Sequence, residues 1–288
     1  MTPIQQMMLG VAGGGPGQEW YKTAGTFTFT PPAGVEKVSV VCVGGGGGGA
    51  GGSNGGGGGG GGLSYKNNYS VSGNVTVIVG AYGALGDTSN NGLTAGGTSS
   101  FDGSSGCQAT GGSAGGTSNV AGGTNSVGDG GGSGGTGGYG AGDSGSYTGG
   151  GGGAGGYSGN GGAGGWPPNT SPGGLAGGYA GSGGGGSGGG STSGDANPSI
   201  SNAQHGSSGG GAVTLFGEGD SGAATSYYDE GKCGSISNSP YNNAYDYYNS
   251  PGGGGSEPYI AASGGGWFGG SGQNGGRGGT VGGGGGGG

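Results

Sequence analysis

Residues 35–43 read VEKVSVVCV and residues 44–62 read GGGGGGAGGSNGGGGGGGG, so a β-strand runs without a break into polyglycine. Few folds accept that junction. Glycine loses more backbone freedom on ordering than any other residue, and fixing one residue costs about 1–2 kcal/mol. An isolated extended three-residue-per-turn helix makes no internal hydrogen bonds and cannot offset that loss. Side by side the balance changes. Without a Cβ, glycine helices approach until each N–H meets a neighbour's carbonyl, a net gain of about 0.5–1.5 kcal/mol. Cα–H···O contacts add about 0.5–1 kcal/mol each. Such helices therefore come as a packed array or not at all.

The pieces of an array are present. Gly44–Gly52 and Gly55–Gly62 are two arms separated by Ser53-Asn54, a turn pair. Further glycine-rich runs recur at 128–142, 149–165, 177–190, 206–212, 252–255, 264–279 and 282–288. The segments between them, rich in Tyr, Asn, Ser, Asp and Pro, read as loops at the ends of the array.

Of 288 residues 104 are Gly and only 11 Pro, without a strict three-residue period, which excludes collagen. Hydrophobic residues are 27%, too few for a core spanning the chain. The apolar residues concentrate in the first hundred or so, where one modest core is expected. Glycine- and serine-rich composition also describes flexible linkers. The 15 Tyr, 3 Trp and 5 Phe argue for order instead.

The formal net charge is −8, and Lys22, Lys37, Lys66, Lys232 and Arg277 are scattered. No basic stripe exists to follow a phosphate backbone, so no nucleic-acid partner is expected. No run approaches the ~20 apolar residues of a membrane span. The opening MTPIQQMMLG lacks a basic leader region and reads as no signal peptide. Cys42, Cys107 and Cys233 lie far apart without a CxxC pair, which argues against a disulfide framework or zinc site. Cys42 reads as a small buried hydrophobe.

Three regions follow. Residues 1–24 hold the short apolar stretch Ile4–Val11 and a Gly/Pro hinge, an attachment segment that docks to another protein or a frayed terminus. Residues 25–110 carry the β signals. Thr26-Phe27-Thr28-Phe29-Thr30 alternates strictly, as a half-buried strand does. In 35–43, Val38, Val40 and Cys42 face one way, and Val41 and Val43 the other. Leu63–Tyr69 and Val75–Val79 are further strands, with weaker ones at Thr98–Phe101 and Cys107–Ala109. Residues 111–288 are the glycine array with sparse anchors. Among these are Trp166 in a Trp-Pro-Pro-Asn loop and the β-like run Ala212–Phe216, a strand that could return to the sandwich. The fold class expected is mainly β and irregular: a small N-terminal β-sandwich continuing into a packed array of polyglycine-II helices with Tyr/Asn-rich loops.

Residues 225–250 read TSYYDEGKCGSISNSPYNNAYDYYNS. Tyr227, Tyr228, Tyr241, Tyr245, Tyr247 and Tyr248 stand among Asp229, Asn242 and Asn243. Tyrosine with asparagine and serine is the mix of a binding surface, rigid amphipathic area beside adaptable hydrogen bonding. It also suits stacking on sugar rings. The plainer reading is that these tyrosines cover the array, whose surface has no side chains of its own. Trp166 joins them as a candidate contact.

Chemistry is otherwise sparse. GxGxxG recurs by composition alone and carries no nucleotide-binding information, and no GxxxxGK[ST] occurs. His205 is the one histidine, which rules out a His-rich metal site, and no nucleophile elbow supports a triad. No catalytic residue, metal or cofactor is expected. Asp229-Glu230 reads as a solvated pair.

The order Thr26–Val35, the strand Val38–Val43 into Gly44–Gly49, then Gly55–Leu63-Ser64-Tyr65-Lys66 and Val75–Gly80 resembles the glycine-rich domains of phage tail-fibre and adhesin proteins. Met1-Thr2-Pro3-Ile4-Gln5-Gln6-Met7 is similar to the start of virion structural proteins of cyanobacterial myoviruses. Distal adhesins of T-even-type phages stack polyglycine helices and display loops that bind outer-membrane proteins or lipopolysaccharide. The β-rich start of this chain departs from them. The ectodomain of anaplastic lymphoma kinase-type receptors is similar in running strands into polyglycine, but no receptor role is carried over. The resemblance implies a non-enzymatic virion tail-fibre or adhesin component, extracellular after release and homotrimeric. It would bind a host outer-membrane protein or lipopolysaccharide through 225–250 and other tail-fibre proteins through residues 1–24. The alternatives are a structural filament or decoration protein without receptor binding, and an ice-binding protein, against which the bulky tyrosine loops speak.

Overall fold

The computed structural model describes residues 9–11, 14–51, 55–86, 91–140, 149–165, 213–214 and 217–218. The described part is all β. In chain order the strands are β1 (Leu9–Val11), β2 (Gly14–Gly17), β3 (Gly25–Phe29), β4 (Lys37–Val43), β5 (Leu63–Ser70) and β6 (Val75–Val79). They continue with β7 (Ser99–Phe101), β8 (Cys107–Ala109), β9 (Asn125–Val127), β10 (Gly130–Gly132), β11 (Val213–Thr214) and β12 (Gly217–Glu218). No helix occurs among the described residues.

Two antiparallel sheets carry the core. One has five strands in the order β3-β6-β7-β8-β9, the other three in the order β10-β5-β4. Register follows from the alternation of large apolar and small polar residues. Phe27 lies opposite Val77 and Phe29 opposite Val75, while Thr26 meets Ile78 and Thr28 meets Thr76. All the first set turn inward and all the second outward, because successive side chains in a strand point to opposite faces. A one-residue slip would expose Phe29, which is fully buried.

The two sheets pack face to face. The main core joins Phe29, Val75, Val77, Phe101, Cys107 and Ala109 of the five-stranded sheet to Val38, Val40 and Cys42 of β4, with Val35 and Val71 beside them. The rings of Phe29 and Phe101 lie 5.8 Å apart, tilted by 48°. Burying each such side chain stabilises the fold by about 1.5–3 kcal/mol. Three hydrogen bonds cross between the sheets. The Ser64 hydroxyl donates to the Gln108 carbonyl at 2.7 Å, and the Cys107 thiol to the Ser64 carbonyl at 3.4 Å. The Cys42 thiol donates to the Cys107 carbonyl at 3.5 Å.

β4 is covered on both faces, as its sequence predicts. Val41 and Val43 point away from the main core into a second cluster with Leu63 and Ala154, against which Trp20, Tyr65 and Tyr157 pack. The β7–β8 connection is a tight turn in which Asp102 (φ 56°) and Gly103 (φ 54°) are both left-handed, the conformation Asp and Gly adopt most readily. The Asp102 N–H donates to the Thr76 carbonyl at 2.9 Å, tying the turn to β6.

Some elements differ from expectation. The sheets draw on β9 and β10, beyond residue 110, so the sandwich closes only after the chain has passed through several glycine segments. Within 1–24, β1 pairs antiparallel with β2. β11, within the predicted run Ala212–Phe216, pairs with β12 in a two-stranded unit of its own.

Candidate functional site

Beyond the sandwich, glycine segments lie side by side and are joined by backbone hydrogen bonds that recur every third residue. Segment 44–50 leaves β4 and segment 55–62 enters β5, and the two run antiparallel. The N–H groups of Gly44, Gly47 and Ala50 donate to the carbonyls of Gly62, Gly59 and Gly56 at 2.8–2.9 Å. On another side of 44–50, Gly45 and Gly48 donate to Gly97 and Thr94. Its carbonyls at Gly46 and Gly49 accept from Gly83 and Gly86, and those at Gly45 and Gly48 from Gly112 and Gly115.

Segment 55–62 is enclosed in the same way. Gly57 and Gly60 donate to Gly138 and Gly135, and Gly59 and Gly62 to Ser113 and Thr110. The carbonyls of Gly55, Gly58 and Gly61 accept from Gly149, Gly152 and Gly155, and that of Gly60 from Gly123. The pairings give alternating directions to the segments 44–50, 55–62, 80–86, 94–97, 110–116, 120–124, 132–138, 149–156 and 159–165. Each described connection therefore returns at one or the other end of the bundle.

Apart from the buried methyl groups of Ala50 and Ala154, the interior leaves almost no room for side chains. A Cβ on Gly48 would stand 1.8 Å from the Ala84 carbonyl oxygen, and one on Gly60 would stand 1.9 Å from that of Gly153. The peripheral segments show how composition tracks enclosure. In 132–138, Ser133 and Thr136 stand every third residue at the less buried positions while Gly132, Gly135, Gly137 and Gly138 are buried. In 80–86 only Gly83 and Gly86 are buried, and Ala81, Tyr82, Ala84 and Leu85 are turned out. Segments 80–86, 94–97, 110–116 and 120–124 fall outside the glycine runs singled out in the sequence. In 80–86 and 110–116 a glycine at every third position was the available signal; 94–97 and 120–124 offered only a Gly-Gly pair.

Polar side chains on the described surface are local ties. Lys66 pairs with Asp129 at 2.7 Å, and the Asn67 N–H donates to the same carboxylate at 2.8 Å. The Lys66 hydrogen bond first, and the Asn67 N–H second, hold the Asp129 carboxyl below its usual value. The Tyr69 hydroxyl donates to the Asp102 carboxylate. That bond, helped by partial burial, pushes the Tyr69 hydroxyl up to about 12. Tyr21 donates to Glu19 at 2.6 Å, and burial, reinforced by that bond, raises its pKa. The Lys22 ammonium sits 5.4 Å from the centre of the Trp20 ring, a cation–π distance. Cys42 and Cys107 are buried free thiols; their mutual hydrogen bond, then burial, push the Cys42 thiol well up.

The candidate contacts Trp166, Tyr227, Tyr228, Asp229, Tyr241, Asn242, Asn243, Tyr245, Tyr247 and Tyr248 lie outside the described residues, as do His205 and Cys233. Among the described residues no group of three His, Cys, Asp or Glu could hold a metal ion. Nor is any helix there long and apolar enough to cross a membrane.

No curated protein and no solved structure matches the chain. A family described as a glycine-rich domain matches residues 22–224, which takes in the sandwich and every glycine segment described above. The chain belongs to this glycine-rich domain family.

Proposed function

We propose that the glycine segments are polyglycine-II helices, and that the chain is a phage tail-fibre or adhesin component which uses them as a rigid scaffold for receptor-binding loops. The three-residue recurrence of the hydrogen bonds supports the first part, since a polyglycine-II helix has three residues per turn. The observation that carries the second is the junction itself. β4 passes into 44–50 and 55–62 passes into β5 with no intervening loop, so the sandwich and the bundle are coupled through continuous backbone. An interior of bare backbone offers no side-chain chemistry, and recognition falls to the loops at its ends. The loop of choice is 225–250, with Tyr227, Tyr228, Asp229, Tyr241, Asn242, Asn243, Tyr245, Tyr247 and Tyr248, together with Trp166. Its mix of tyrosine and small amides fits an outer-membrane protein or the sugars of lipopolysaccharide.

The role is binding without catalysis. In this reading the protein resides in the virion tail, as a homotrimer attached to other fibre proteins through residues 1–24. The test is a pull-down of the purified chain on intact candidate host cells, before and after outer-membrane stripping. Saturable binding that stripping removes, and that Ser at Tyr241, Tyr245, Tyr247 and Tyr248 abolishes, is expected. Binding unaffected by those four substitutions in a folded protein would remove 225–250 as the site. Absence of binding to any host would favour a purely structural virion role.

A further inference from the structure

The two sheets come close together where their inward residues are small. Facing sheets ordinarily stand ~10 Å apart, yet here side chains one atom longer than alanine span the gap. The Cys42 thiol of β4 reaches the Cys107 carbonyl of β8 at 3.5 Å, and the Cys107 thiol reaches back to the Ser64 carbonyl of β5 at 3.4 Å. Ser64 is the ladder partner of Cys42, so the two contacts are reciprocal. The two thiols are also hydrogen-bonded to each other. Both are free, and both are buried in the main core. β4 and β8 approach to within 8 Å between Cα atoms. A small apolar filling of this space would be served by alanine on either strand; the sequence instead sets two thiols in contact across it.

We propose that Cys42 and Cys107 are a built-in cross-linking site, which closes to an inter-sheet disulfide when the chain folds in an oxidising medium. In the dithiol form described above both are buried, so the chemistry belongs to the folding chain, before the sheets have sealed. With oxidised glutathione as the oxidant, one cysteine thiolate attacks its S–S bond and releases one glutathione. The thiolate of the other cysteine then attacks the protein sulfur of the mixed disulfide and releases the second glutathione. Two protein S–H bonds and the glutathione S–S bond are broken. One protein S–S bond forms, and the two protons and two electrons end in two glutathione thiols. A chain folded under reductant keeps the pair as thiols. The bond would sit at the root of the bundle. Cys42 stands two residues before Gly44 and Cys107 three before Thr110, where segments 44–50 and 110–116 leave β4 and β8. It would tie those two segments together where they start, across 65 residues of chain.

The experiment is refolding of the full chain, reduced and denatured, with reduced glutathione alone or with a mixture of reduced and oxidised glutathione. Remaining thiols are then alkylated in denaturant and the chain is digested. Trypsin cuts after Lys37, Lys66 and Lys232, which puts the three cysteines in separate peptides. After oxidative refolding, peptide 38–66 is expected joined to peptide 67–232, with a thermal midpoint at least ~4 °C above that of the reduced protein. The bond should resist dithiothreitol in the native protein and yield to it in denaturant. Cys42→Ala and Cys107→Ala should each lose both the cross-link and the gain in midpoint. A folded protein whose Cys42 and Cys107 are still alkylated after oxidative refolding overturns the proposal, and so does a disulfide that joins either of them to Cys233. A cross-link that lowers the midpoint, or an oxidised chain that no longer folds, overturns it too, since the native fold would then not accommodate the bond. Reduction as fast in the native protein as in denaturant would remove the bond from the core.

Discussion

The Cα of Gly58 faces the carbonyl of Gly47 so closely that a Cβ on Gly58 would stand 2.2 Å from that oxygen. Backbone occupies the space a methyl group needs, and neither rod can retreat without breaking bonds to its other neighbours. Gly58→Ala is expected to destabilise by about 1–3 kcal/mol or more. Gly73 is the contrast: nothing lies within 4 Å of its Cβ position. Its φ is not left-handed, so Gly73→Ala should be neutral or stabilise by about 0.4–1 kcal/mol. Urea unfolding midpoints of the two variants check both.

In the sandwich, Phe29 and Phe101 are each fully buried and in ring contact. Phe29→Ala or Phe101→Ala should cost about 3–5 kcal/mol, the usual range for an aromatic truncated in a core. Because the two share a contact, the double variant should lose less than the sum. Ile78, 40% exposed on the outer face of β6, should tolerate Ala with a loss of no more than about 1 kcal/mol. Thermal unfolding of the four proteins tests the ranking.

Tyr69 makes stability fall in alkali. Its hydroxyl ionises near 10 in the unfolded chain and at about 12 in the fold, where it is bonded to the Asp102 carboxylate. The contribution is fully present below pH 10 and is lost as pH rises towards 12, because the folded state then holds more protons than the unfolded one. Tyr69→Phe should flatten this alkaline limb and lower stability at neutral pH. Denaturant unfolding between pH 8 and about 12 would show both.

The two buried thiols should be inert. Cys42 is 3% exposed and Cys107 fully buried, and the Cys42 thiol is raised well above its ordinary value. In a Cys233→Ser background, neither should react with an alkylating reagent in the native protein, even at pH about 8.5 where an ordinary thiol is half ionised. Both should react on denaturation. Mass spectrometry after a timed pulse gives the answer.

The sandwich was legible wherever side chains alternate. Phe27 and Phe29, Val38 to Val43 and Val75 to Val79 fall on the faces their period-two pattern predicts. β10 was not legible, since Gly130–Gly132 carries no side-chain signal and becomes a strand by pairing with Leu63–Tyr65. β9 was missed because Asn125-Ser126-Val127 has little strand propensity, and its place depends on β8. The enclosed arms announced themselves as unbroken glycine at 44–49 and 55–62. The outer segments did not, because exposure lets Tyr82, Leu85 and Thr94 interrupt the run and mimic a loop. Of the candidate binding residues, tyrosine-rich composition was the whole of the signal, and composition does not distinguish a contact from a cover.

The every-third-residue hydrogen bonding also dictates how such a chain can change in length. On the polyglycine-II reading proposed above, adding or deleting a whole turn of three residues at the end of a segment leaves each remaining N–H aimed at its old partner and only moves the connecting loop outward or inward by ~9 Å. A shift of one residue turns every donor of that segment by a third of a revolution and presents a different row of positions to each neighbour. For a segment such as 132–138, that would drive Ser133 and Thr136 into bare backbone. Insertions and deletions during descent should therefore be tolerated in steps of three within the segments and in any number within the loops, so that reach and loop sequence can vary while the interior stays in phase.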